Sequence, residues 1–131
     1  MRGICCAFCW SAQEGFVGSV LRYLLSGACQ GIFRAARFPV GTLVVNLSGC
    51  FVIGLLSELA EARNALTDLS RAFLLIGVLG GYTTFSTLSN ESLNLLRTGD
   101  VALGSLNMAI QVLGGLSLAW FGRITGHLIW R

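Results

Sequence analysis

Three runs of about twenty residues without a charge, Phe38 to Ser57, Ala72 to Asn90 and Val101 to Gly122, constrain this chain more than any other feature. A helix needs about twenty apolar residues to cross roughly 30 Å of hydrocarbon, and each run supplies them. Only 11% of the residues are charged, against about 25% in soluble domains. The sequence therefore reads as an integral membrane protein. In lipid, backbone polar groups must be satisfied within the protein, which favours helices. The expected fold is an all-α membrane protein: one four-helix transmembrane domain over residues 1–131.

The expected helices run from about Ile4 to Gly27, Pro39 to Ala60, Leu69 to Arg97 and Val101 to Ile129. Pro39 suits a first helical turn, where its missing N–H costs nothing. In Thr98-Gly99-Asp100, Gly99 can take the left-handed position that ends a helix, and Asp100 can cap the next one. The third helix is expected to break at Gly80-Gly81, because two adjacent glycines weaken a helix by about a kcal/mol each. Arg2 with the apolar stretch after it reads as part of a retained first span rather than a cleaved signal.

Every basic residue is Arg, and none of them cluster, so nothing suggests nucleic acid. Arg2, Arg63, Arg71 and Arg131 fall at one membrane face. Arg34, Arg37, Arg97 and Arg22 fall toward the other. Cytoplasmic Arg and Lys orient a membrane protein, and this near tie allows insertion in both orientations. Cys5, Cys6, Cys9, Cys29 and Cys50 include one CxxC without a second pair or a nearby His, so they read as small apolar residues. Gly77/Gly81 and Gly122/Gly126 are GxxxG pairs, and Gly15/Ser19 resembles them. Such faces bring helices close, within one chain or between two.

Polar residues inside the spans are the functional signal. Thr42 and Asn46 lie four apart, as do Asn107 and Gln111. Thr83, Thr84, Ser86, Thr87, Asn90 and Glu91 crowd the third span. Single hydroxyls often only tie helices together. Three amides with a hydroxyl cluster instead suggest a polar path, and neutral donors suit a small anion. A helix break would free backbone carbonyls, which are good ligands for Na⁺. The positive ring edge of Phe85 could meet an anion.

The motifs GFVGSVLRY (15–23), PVGTLVVNLSGCFVIG (39–54) and GVLGGYTTFSTLSNE (77–91), and more loosely GLSLAWFG (115–122), resemble the Fluc/CrcB fluoride channels. The resemblance covers essentially the whole chain. It implies an antiparallel, dual-topology homodimer with two fluoride pores in the bacterial inner (plasma) membrane. It also implies a structural Na⁺ at the dimer centre, held by the backbone carbonyls of Gly80 and Thr83. Asn46 would be the pore asparagine and Phe85 the first pore phenylalanine. Thr42, Ser86 and Thr87 would form the polar track, followed by Glu91, with Arg22 in the vestibule. Leu88 stands where the family usually has a second Phe. Glu14 replaces a small residue, and Asn107 and Gln111 replace hydroxyl residues on the fourth helix.

The implied function is passive fluoride export, not catalysis. HF that enters from acid surroundings dissociates inside, and an outward fluoride leak removes it. An alternative is a proton-coupled exporter of the small multidrug resistance type, which would need Glu14 as its carboxylate. A non-conducting scaffold is a third reading.

Overall fold

The computed structural model describes residues 2–33, 37–63 and 67–130. The side chains of Cys5, Cys6 and Cys9, and of Arg2, Arg34, Arg63 and Arg131, lie outside the described residues. The described residues are helical almost throughout and contain no strand. Helix α1 spans Arg2–Ile32 and α2 spans Val40–Arg63. A third stretch comprises α3 (Asp68–Arg71), a π-helical segment (Ala72–Val78), α4 (Leu79–Tyr82) and α5 (Phe85–Arg97). The fourth comprises α6 (Val101–Ala109), a second π-helical segment (Ile110–Gly114) and α7 (Gly115–Ile129).

Among the described residues, Val40–Glu61, Leu69–Arg97 and Val101–Ile129 are long and apolar enough to cross a membrane. Burial follows the same logic. Glu14, Thr42, Asn46, Ser92, Asn107 and Gln111 are as deeply buried as the apolar Val45, Ala60, Leu79 and Leu88. Large apolar side chains such as Phe16, Ile76, Leu113 and Trp120 are mostly exposed. An apolar exterior around a polar interior suits hydrocarbon as the solvent.

The closest helix packing is between α2 and α7. A Cβ at Gly54 would strike the Ala119 carbonyl oxygen, and one at Gly122 would strike that of Phe51. Glycine lets the two backbones approach there. Gly126 continues the seam against Glu58. A second seam joins α1 to the third stretch, where Gly77 packs on Glu14 and Gly81 on the Gly15 backbone. Both GxxxG pairs therefore join helices of the same chain.

Several local expectations shift. Helix α1 continues past Gly27 to Ile32. Gly99 is left-handed, with φ 90°. Asp100 stands at the start of α6 but makes no side-chain cap; its carboxylate lies 3.8 Å from Arg37 instead. Gly80 and Gly81 do not break the helix, because both lie within α4. The interruption comes at Thr83 (φ −86°, ψ 158°) and Thr84 (φ −151°, ψ 114°), both extended. Glycine weakens a helix without dictating where it stops, and Gly81 is needed for contact with α1.

Candidate functional site

Two extended residues between helices leave backbone groups without helical partners, and buried groups of that kind must be satisfied elsewhere. Asn46 on α2 satisfies those of Thr84. The Thr84 N–H donates to Asn46 Oδ1 (2.8 Å), and Asn46 Nδ2 donates back to the Thr84 carbonyl (3.1 Å). The Thr84 hydroxyl accepts from the Thr87 N–H and so caps α5, with the Thr87 hydroxyl at 3.0 Å and that of Ser86 at 3.2 Å. On the other side of the gap, the Leu79 carbonyl accepts from both the N–H and the hydroxyl of Thr83.

Asn46 also begins a buried relay. Its Nδ2 donates to Gln111 Oε1 at 2.6 Å, Gln111 Nε2 donates to Asn107 Oδ1 at 2.9 Å, and Asn107 Nδ2 donates to Ser92 Oγ at 2.9 Å. Asn107 is wholly buried and Ser92 nearly so. Gln111 lies in the second π-helical segment, next to Ile110 where it begins. Such segments recur at functional sites.

Closer to the Arg37 end, the Thr42 hydroxyl donates to Glu91 Oε1 at 2.7 Å, while Glu91 Oε2 is buried without a partner. Three clefts run along these groups. One of about 650 Å³ is lined by Arg37, Asp100, Thr42 and Glu91. A second of about 490 Å³ is lined by Arg22, Thr42, Thr84 and Thr87. A third of about 460 Å³ is lined by Asn46, Thr84, Phe85, Leu88 and Gln111, together with Gly80 and Thr83. Thr42 borders the first two and Thr84 the last two, so polar lining continues from one cleft to the next.

The structure thus gathers Thr42, Glu91, Arg22, Thr87 and Asn46 along three neighbouring clefts. Phe85 opens α5 at the edge of the third cleft and is 75% exposed. Ser86 is exposed, and Leu88 is buried beside the third cleft. Asn107 takes its place in the relay and lines none of these clefts. Nothing in the sequence singles out Ser92, which follows Leu88 at helical spacing. At the opposite end, Arg123 pairs with Glu61 at 2.9 Å and lies 3.9 Å from Glu58, whose carboxylate also meets His127. Exposed pairs of this kind contribute little. Among the described residues, no three His, Cys, Asp or Glu side chains converge as a metal site.

Apolar spans outside and neutral amides within define a multi-pass membrane protein with a polar interior. The chain belongs to the CrcB family: residues 9–123 match the family described as "CrcB-like protein, Camphor Resistance (CrcB)". A "Fluoride-specific ion channel FluC" of Magnetococcus marinus is 43% identical over 120 residues, which cover 92% of this chain and 97% of the relative. "Fluoride-specific ion channel FluC 1" of Methanosarcina acetivorans is 41% identical over 85% of this chain and 83% of its own. The FluC of Elusimicrobium minutum is 46% identical over 76% of each.

Proposed function

We infer that this protein is a fluoride-specific ion channel. The observation that carries the reading is the 43% identity to the Magnetococcus marinus channel over nearly the full length of both chains. The site supports it, because its path offers hydroxyls and amides. Donors of this strength can replace a small anion's water without trapping it, as a buried cation would. The exporter alternative gains no support. The relatives over nearly the whole chain are named as fluoride channels, and Glu14, the carboxylate an exporter would need, packs on Gly77 and lines none of the three clefts described above. Fluoride release from protein-loaded liposomes, followed with a fluoride electrode, tests the reading.

The finer architecture belongs to the same proposal. Helix α1 serves as the fourth span, with Phe16, Val20, Leu21 and Leu24 toward lipid or a partner. Two copies pair antiparallel in the plasma membrane and passively export fluoride through two pores. Thr42, Ser86, Thr87, Glu91 and Gln111 act with Asn46 and Phe85 along each path, Asn107 supports Gln111 from behind, and Arg22 collects anions at its mouth. Asn46 has both amide hydrogens engaged, so it serves fluoride by exchanging one partner. The balanced arginines support dual topology. Cysteine labelling of a reporter residue at the C-terminus is expected to find both orientations in the same cells. A single orientation would contradict this.

The break also fits a structural Na⁺. In an unbroken helix the Thr84 N–H would bond the Gly80 carbonyl, but here it goes to Asn46. Gly80 is exposed, and a Cβ there would meet nothing within 4 Å. Its face is thus open to a second copy, and backbone oxygens are hard ligands suited to Na⁺. The Gly80 and Thr83 carbonyls would hold the ion, whose charge would stabilise the dimer. Gly80→Val is therefore expected to leave the protomer folded but to shift size-exclusion elution to monomer. Replacing Na⁺ with a large organic cation is expected to do the same to the unmodified protein. A Gly80→Val dimer of unchanged stability, or indifference to Na⁺ removal, would count against the site.

A further inference from the structure

The direction of the buried relay is dictated by backbone, not by an arbitrary choice of amide orientation. The Thr84 N–H can only donate and its carbonyl can only accept, so Asn46 must present Oδ1 to the first and Nδ2 to the second. Asn46 then has only an N–H to offer Gln111, which must answer with Oε1. Gln111 in turn donates to Asn107, and Asn107 to Ser92. The chain ends on a hydroxyl, the one group in it that both accepts and donates through a single atom. Every other terminator, a carbonyl or an N–H, would permit one direction only.

We propose that this relay reverses when an anion enters, and that reversal builds an anion station between Asn46 and Gln111. The proposal rests on the fluoride-channel reading. Both amides border the cleft of about 460 Å³, so an anion there reaches them together. It displaces Gln111 Oε1 from the Asn46 N–H. Gln111 turns over and offers Nε2 to the anion. Its Oε1 now accepts from Asn107, which has also turned over, and the Asn107 Oδ1 accepts from the Ser92 hydroxyl. The three internal bonds from Asn46 to Ser92 become two, and two N–H donors face the anion. Asn46 keeps both bonds to Thr84, so the helix break stays clamped. Asn46, Gln111, Asn107 and Ser92 each keep at least one hydrogen bond in either state, which keeps the exchange inexpensive. When the anion leaves, the relay closes again behind it.

The test is ¹⁵N NMR of the side-chain amides in full-length protein in lipid nanodiscs, titrated with NaF against NaCl. The expected result is that Asn46, Gln111 and the fully buried Asn107 shift together with one apparent Kd. Asn107→Asp can accept from Gln111 but cannot donate to it, so it holds the relay in its resting direction. That variant is expected to lose the Gln111 shift and to slow fluoride efflux at least about tenfold, the effect of one missing hydrogen bond. If the variant does not fold, the unmodified protein still decides. An Asn107 resonance unmoved by fluoride overturns the relay. Efflux with no shift at any of the three amides overturns it while leaving the channel reading intact. Coupled shifts without efflux would support the station and contradict the channel reading, and the absence of both would overturn both.

Discussion

Replacing Asn46 with Asp is expected to abolish fluoride efflux, with a fall of at least about a hundredfold, and to destabilise the protein at the same time. Asp has nearly the same shape, and its carboxylate can still accept the Thr84 N–H. It cannot donate to the Thr84 carbonyl, which has no other orientation to offer, and it can hold Gln111 only by accepting from Nε2, with the relay fixed in its reversed direction. Leaving buried groups unsatisfied costs about 1–3 kcal/mol each, and an added negative charge in a path for anions opposes entry. Because Asn46 clamps the break, thermal unfolding in detergent should move down together with efflux. Efflux at the unmodified rate would remove Asn46 from permeation. Lost efflux with unchanged unfolding would show that the clamp to Thr84 contributes no stability.

Gly54→Val is expected to prevent folding outright. The first atom of the new side chain would meet the Ala119 carbonyl oxygen, part of a helix backbone that cannot turn aside. Overpacking a core typically costs about 1–3 kcal/mol, and a clash with backbone along the main helix–helix seam should exceed that. Gly122→Val meets the Phe51 carbonyl from the other side and should behave alike. Gly31→Ala is the control, because a Cβ there meets nothing within 4 Å. The measurement is the yield of monodisperse protein in detergent and its unfolding temperature. A Gly54→Val protein as stable as the control would show that α2 and α7 do not pack as described.

These outcomes divide along the line between local and non-local information. The apolar runs make the spans legible, and the left-handed turn at Gly99 is legible because glycine tolerates positive φ. The shared face of Thr42 and Asn46 follows from their four-residue spacing. The position of the break is not legible in this way. Gly80-Gly81 is the weakest helical pair in the third stretch, yet the chain leaves the helix at Thr83. The partner that compensates the break is Asn46, 38 residues away, and only the folded protein brings it to Thr84. The relay was hidden for a similar reason. Asn107 and Gln111 stood out as buried amides, but a regular helical period gives no sign of the π-helical segment that holds Gln111. In the sequence Ser92 is one hydroxyl among many. Glu14 could be flagged as an oddity, but its neighbour Gly77 lies 63 residues on, on another helix.

Fluoride efflux from liposomes tests the central claim most directly. Purified protein is reconstituted at low density into vesicles loaded with potassium fluoride, valinomycin is added to carry the balancing K⁺, and a fluoride electrode follows release. The account predicts rapid fluoride release that depends on the protein and is lost in Asn46→Asp, while chloride-loaded vesicles release almost nothing. Fluoride release no faster than from protein-free vesicles, or equal release of chloride and fluoride, would contradict it.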